Sequence, residues 1–234
     1  MVDGLDGSGK GTIVTALKEY LELKGKKVFD LREFWVMKNE IPTAEQLNEY
    51  DVIISSEPTH SMIGKVIREE IIHDNKRDYS GLSTAHAFSL DREILYKKLI
   101  IPALKSGKTI IQERGVVTSL VYQPVQNPGE RISLTDVINL HGNKVTLKHA
   151  PDLLIITIID PDISMKRLDG REKKDNAIFE KMIFQRKIAE RYSSEWLKKL
   201  FETHGSKVVY LETGTADIQG TCDKAVHLVE EFLS

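Results

Sequence analysis

The chain is poor in cysteine, in any excess of one charge sign and in long apolar runs, and each shortage excludes something. Its single cysteine, Cys222, cannot close an intramolecular disulfide or build a cysteine-based zinc site, a pattern that points to an intracellular, cytoplasmic protein. Basic residues number 33 against 35 acidic ones, a net charge of −2. That balance offers no broad basic surface, so neither nucleic acid nor an anionic membrane is an expected partner. The longest apolar stretches, such as 153–159, are too short to span a bilayer, and the N-terminus lacks the basic-then-apolar order of a signal peptide. The 15 glycines and 7 prolines are scattered, and 41% of the 234 residues are hydrophobic. With no repeat and no linker, the expectation is a single folded domain over residues 1–234.

What is present alternates. Ile13, Leu17, Tyr20 and Leu21 recur at helical spacing, and Gly25 supplies a stop. A strand is expected at 28–31. Thr43 and Gln46 form a capping-box pattern for a short helix, before the apolar run Val52, Ile53, Ile54 that ends at Glu57-Pro58. Ile63, Val66, Ile67 and Ile71 give an amphipathic helix, and a longer helix is expected at 83–104, bent where Pro102 removes a donor. Further strands are expected at 109–112, 153–159 and 208–211. Short buried strands alternating with helices predict an α/β fold, doubly wound, with a mostly parallel sheet, helices on both faces, and ligands at the carboxyl ends of the strands.

Gly4-Leu5-Asp6-Gly7-Ser8-Gly9-Lys10-Gly11-Thr12 has the spacing of a phosphate-binding loop. Gly7, Ser8, Gly9 and Gly11 let backbone amides turn inward around phosphates, Lys10 reaches terminal phosphate oxygens, and the following helix points its positive end at the same anion. The hydroxyl normally placed directly after the lysine is replaced by Gly11, which passes the Mg²⁺-binding role to Thr12. A GTP-binding switch is a rival reading, since Asn75-Lys76-Arg77-Asp78 and Asp78-Tyr79-Ser80-Gly81 fit its guanine and switch patterns. The two fragments overlap, stand in the wrong order and follow a helix, so a charged inter-helix loop is the better reading.

Two pairs of later residues have a physical case of their own. Phe88 and Arg92 are four apart on a helix, so an aromatic plate and a forked donor share one face. The same spacing also suits a core phenylalanine beside an arginine paired with Glu93 or Asp91. Glu113-Arg114 closes an apolar strand, which puts a carboxylate and a guanidinium at the carboxyl edge of the sheet beside the phosphate loop.

Taken in order, Gly-Leu-Asp-Gly-Ser-Gly-Lys, Glu57-Pro58-Thr59, Phe88 to Arg92, Glu113-Arg114, Tyr122-Gln123, Pro151-Asp152-Leu153 and Arg167 to Glu180 resemble the thymidylate kinases over nearly the whole chain. The resemblance implies a P-loop nucleoside monophosphate kinase that moves the γ-phosphate of ATP to dTMP, with Mg²⁺ as cofactor, as a homodimer. By the same resemblance Phe88 stacks on the base and Arg92 bonds its exocyclic oxygen. Arg114 clamps the acceptor phosphate, Glu57 and Pro58 border it, and Glu113 organises the metal with Thr12. Asp6 holds the sugar 3′-hydroxyl, Tyr122 lies against the 2′ position, and Gln123 assists; in a purely structural reading Asp6 orders the loop and Tyr122 packs in the core. From Met165 to Arg191 nine basic residues face five acidic ones. The family has a mobile lid there, expected at about 167–178, in which Arg171 covers ATP with support from Arg167.

Several departures stand out. The family's arginine before Glu-Pro is here Ser56, so Arg68 or another cation must serve. Its usual aspartate is here Glu113. Residues 32–50 are longer than the usual connection and carry Phe34, Trp35, Val36 and Met37, a cluster suited to packing on the sheet or to a subunit contact. These changes leave two alternatives, a kinase for another nucleoside monophosphate such as dUMP, or a nucleotide-binding protein with impaired catalysis. Only Met1 and Val2 precede Asp3, where a central strand usually has about five or six residues. The expectation is a chain that starts late, with the phosphate loop anchored on one side only.

Overall fold

Runs of three to six apolar residues between helix signals are too short for helices, and they become the six strands of one all-parallel sheet ordered β2-β3-β4-β1-β5-β6. The computed structural model describes residues 1–73, 75–77, 79–126, 132–169, 182–215 and 217–233. The strands are β1 (Val2–Gly4), β2 (Val28–Asp30), β3 (Val52–Ser56), β4 (Thr109–Glu113), β5 (Leu153–Ile158) and β6 (Lys207–Glu212). This is the doubly wound α/β architecture of the P-loop nucleoside monophosphate kinases.

The loop strand is anchored on both sides, which corrects the expectation of a one-sided anchor. Val2 lies opposite Glu113 of β4 on one side, and Val2, Asp3 and Gly4 pair with Ile155, Ile156 and Thr157 of β5 on the other. The amino group of Met1 donates to the Leu153 carbonyl at 2.8 Å, and the Met1 carbonyl accepts from Ile155 at 2.9 Å. Three residues suffice because these flanking bonds continue the ladder to the first atom of the chain.

Helix α1 (Lys10–Leu23) packs Ile13, Val14, Leu17 and Leu21 against one face of the sheet. It stops as predicted at Gly25, whose φ of 78° suits a residue without a Cβ. On that face α12 (Ile218–Leu233) lies beside it, contributing Ala225. The other face is covered by α6 (Val116–Gln126), α10 (Met182–Tyr192) and α11 (Glu195–Thr203), which bury Val117, Leu120, Ile188 and Phe201.

Residues 32–50 do not act as one apolar cluster. Helix α2 (Leu31–Met37) buries Trp35, whose indole donates to the Glu40 carbonyl at 2.9 Å, while Val36 and Met37 are 85% and 80% exposed. Ile41, Ala44 and Leu47 join Trp35 in a core shared with Leu95, Tyr96 and Leu99. The Thr43–Gln46 pattern does form, since Gln46 Oε1 accepts from the Thr43 amide at 2.7 Å, but it caps only the single 3₁₀ turn Glu45–Leu47.

Two expected helices are subdivided. The helix expected at 63–71 is α3 (Met62–Val66) followed by a wide π turn at Ile67–Ile71. The longer helix is α4 (Gly81–Leu95), a π turn at Tyr96–Ile100, and α5 (Ile101–Lys105). Pro102 falls in the first turn of α5, where its missing N–H leaves no bond unmade, so the irregularity precedes it. Between β4 and β5 the chain also forms α7 (Leu134–Asn139) and α8 (His141–Lys148), and after β5 comes α9 (Pro161–Asp169).

Helix α8 approaches α4 so closely that a Cβ at Gly142 would stand 1.9 Å from the Ser89 carbonyl oxygen. Gly142→Ala is therefore expected to destabilise the fold by about 1–3 kcal/mol, the usual range for overpacking. Equilibrium unfolding in urea checks this, and an unchanged midpoint would contradict it.

Candidate active site

The carboxyl ends of β1, β3 and β4 open into one cavity of about 450 Å³. Its floor is the phosphate loop, which turns tightly because Gly7 and Gly9 take φ of 75° and 86°. The loop is fastened from below. Ser8 Oγ bonds Thr157 Oγ1 at 2.6 Å, and the Ser164 hydroxyl of α9 donates to the Asp6 carbonyl. Lys10 folds back to donate to the Leu5 carbonyl at 2.6 Å. Burial, assisted by the nearby charge of Arg114, lowers its pKa to about 8.

Asp6, Gly7, Gly9, Lys10, Gly11, Thr12, Glu57, Pro58, Phe88, Glu113, Arg114, Tyr122 and Gln123 all line this cavity. Ser8 sits fully buried beneath it. Arg114 bonds the Asp6 carboxylate, and the Tyr122 hydroxyl donates to the other Asp6 oxygen at 3.1 Å. Burial alone would raise the Asp6 pKa; the charges of Arg114 and Lys10 outweigh it and hold the carboxyl below its usual range.

Arg92 is placed behind the wall rather than in it. At 1% exposure it donates to Glu57 at 2.7 Å, to the Asn143 side-chain oxygen and to Ser119 at 3.0 Å. Phe88 and Arg92 do share the expected helix face, but the carboxylate of Glu57 and the carbonyl of Asn143 draw the guanidinium inward. Glu57 also accepts from Gln112 at 2.7 Å, and burial, only partly offset by Arg92, pushes its pKa up to about 7. Arg167 does not line the cavity; its guanidinium donates to the Thr213 carbonyl at 2.9 Å. Arg171 and the expected lid beyond residue 169 lie outside the described residues.

Other cavity residues carried no readable signal in the sequence. Arg32, at the start of α2, donates to both Asp30 oxygens at 3.0 and 2.8 Å and to Glu113 at 3.2 Å. Arg68 stands on the π turn and donates to the Pro58 and Thr59 carbonyls. Both cations share the cavity with Ser56, His60 and Ser119. Burial and the charge of Arg68 lower the His60 pKa to about 4, so it stays neutral near pH 7. Two polar atoms on the cavity wall, Ser56 Oγ and Gln123 Oε1, have no partner among the described residues. A buried acceptor without a donor costs free energy, and a bound ligand would recover it.

For a metal the donor set is spare. Among the described residues no three His, Cys, Asp or Glu side chains are grouped to hold an ion. The Thr12 hydroxyl and the Glu113 carboxylate share the cavity, with the Gly11 backbone against that carboxylate. Two hard oxygen donors suit Mg²⁺, which keeps most of its shell for water and phosphate. Four cations, Lys10, Arg32, Arg68 and Arg114, converge on the same space. The arrangement is equipped to hold two phosphate-bearing groups end to end.

The described helices include none long and apolar enough to cross a membrane. Comparison with known proteins gives a consistent picture. The family model for thymidylate kinase matches residues 39–210. A probable thymidylate kinase of Thermococcus onnurineus (strain NA1) is 31% identical over 199 residues, covering 82% of this chain and 80% of its own. A thymidylate kinase of Caldicellulosiruptor saccharolyticus is 27% identical, covering 99% and 95%. A probable thymidylate kinase of Archaeoglobus fulgidus is 25% identical, covering 100% and 95%.

The buried Glu57 has a consequence for stability. Between about pH 4.5 and about 7 the folded protein holds a proton that the unfolded chain has released, so this group's contribution falls as pH rises through that window. Glu57→Gln, which does not titrate, is expected to lose less stability between pH 5 and pH 8 than the wild type loses. Urea midpoints at the two pH values read the difference, and parallel losses would contradict it.

Proposed function

The chain belongs to the thymidylate kinase family, and from that premise we propose that it transfers the γ-phosphoryl group of ATP to dTMP, giving dTDP. The supporting observation is that the phosphate loop and the Phe88–Gln123 wall line a single cavity, with Arg114 between them.

On the donor side, loop amides and Lys10 neutralise the triphosphate, and binding restores the full charge that burial takes from Lys10. Mg²⁺, held through Thr12 and Glu113, would bridge phosphate oxygens and spread their charge. On the acceptor side, Phe88 offers a stacking face. Gln123 Oε1, unpartnered in the free protein, accepts from the N3–H of thymine. Ser119, bonded by Gln123 at 3.1 Å and by Arg92 at 3.0 Å, keeps that amide in one orientation. Arg92 thus supports the base site from behind.

Asp6 and Tyr122 border the sugar, where the tyrosine ring leaves little room for a 2′-hydroxyl. Arg114 and Arg68 take the acceptor phosphate, Arg68 filling the role left open by Ser56. Arg32 stands next to Glu113 as a further cation at the transfer point. Catalysis then consists of positioning and charge stabilisation, with no covalent intermediate. Arg171 and Arg167 are assigned to a lid that covers ATP. The enzyme is taken to be cytoplasmic and homodimeric; Leu82 and Leu90, 54% and 47% exposed along α4, suit a face for a second copy.

An ADP-release assay against a panel of monophosphates tests the reading. Cytosine presents an acceptor at N3, which would meet the Gln123 acceptor, so dTMP is expected to exceed dCMP in kcat/KM by roughly tenfold or more. Equal turnover would overturn the assignment.

A second expectation follows from Lys10. Because its free-state pKa is about 8, ATP affinity should weaken as pH rises above that value, and binding at pH 9 should take up protons. Calorimetry in two buffers of different ionisation enthalpy measures the uptake. Its absence at pH 9 would remove Lys10 from the phosphate contact.

A further inference from the structure

Asp3 is a fully buried carboxylate that touches no part of the cavity, yet it collects more bonds than any residue in it. Its oxygens accept from the Gly4 amide at 2.7 Å, the Gly115 amide at 3.2 Å and the Thr118 amide at 3.1 Å. They accept also from the Thr118 hydroxyl at 2.8 Å and the Tyr192 hydroxyl at 2.7 Å. Only a carboxylate can accept from so many donors at once. These donors come from β1, the turn after β4, the first turn of α6 and the last residue of α10. One side chain therefore caps α6 from a neighbouring strand and ties three elements together.

Arg114 stands at the centre of that arrangement. Its φ is 62°, a left-handed conformation that a residue with a Cβ adopts only when the surroundings enforce it. The bond from Gly115 to Asp3 fixes the next peptide, and the Arg114 amide donates to the Val2 carbonyl at 2.8 Å. The guanidinium is held as well, because Arg114 Nη1 donates at 3.4 Å to the Thr118 hydroxyl, which in turn donates to Asp3. Tyr192 completes the frame by packing its ring edge-on to Tyr122, 6.3 Å between centroids.

We propose that Asp3 is a positioning residue that, through Gly115, Thr118 and Tyr192, presets Arg114 for the phosphate of the acceptor. The proposal rests on the kinase reading above for the identity of the group Arg114 meets, but not on which base the acceptor carries.

The test compares Asp3→Asn, which replaces one acceptor oxygen by a donor facing amides, with the milder Tyr192→Phe, which removes one bond. Acceptor affinity is measured by calorimetry with whichever monophosphate the wild type turns over fastest. A wrong base would then overturn the dTMP assignment and leave this test standing. Acceptor affinity is expected to fall tenfold or more in Asp3→Asn and about threefold in Tyr192→Phe, with ATP affinity within twofold of wild type in both. In an Arg114→Ala background, neither change should weaken the acceptor further. Undiminished acceptor affinity in both variants, an equal loss for ATP, or the same loss with Arg114 already removed would each overturn the proposal and leave Asp3 a purely structural cap.

Discussion

Everything at the cavity depends on a three-residue strand being clamped at the centre of the sheet. β1 is buried on both faces and bonded along both edges, so its C-terminal end is among the most rigid points of the fold. The phosphate loop leaves from that end and turns directly into α1. Backbone amides gather phosphate without reorganisation only when the strand behind them cannot move, and here β4 and β5 hold it from either side.

The second constraint is electrostatic. Lys10, Arg32, Arg68 and Arg114 crowd into one cavity, and such a group would repel itself and resist burial without compensation. In the ligand-free protein the compensation is internal. Arg114 pairs with Asp6, Arg32 with Asp30 and Glu113, while Lys10 and Arg68 turn to backbone carbonyls. Polyphosphate offers these cations stronger acceptors, so binding exchanges internal bonds for ligand bonds rather than creating charge contacts from nothing. The Glu57–Arg92 pair is different in kind. Both partners are almost wholly buried, and their job is to hold the wall that carries Ser119 and Gln123.

Irregular backbone falls where the cavity needs reach. Both π turns lie on segments beside it: the first carries Arg68, and the second continues α4, which carries Phe88. A widened turn shifts the register of side chains by part of a residue, which a regular helix cannot do, and such turns are common near binding sites.

The sequence by itself determined what depends on near neighbours along the chain. The phosphate loop was legible because its function requires glycines and a lysine at fixed separations. The strands at 52–54, 109–112 and 153–159 were legible because short apolar runs between helix signals admit little else, and the stop at Gly25 because only glycine takes its conformation cheaply. What the tertiary structure decided was set by residues far apart in the chain. β1 looked too short until β4 and β5 supplied its partners; Trp35 and Met37 shared an apolar run until packing buried one and exposed the other. Helical spacing put Arg92 on the face of Phe88, but Glu57 and Asn143, 35 and 51 residues away, drew it behind the wall. Arg32 reached the cavity only because β2 lies beside β3 in the sheet. Local spacing says which side chains share a face; which of them meets a ligand depends on competing partners that only folding brings within reach.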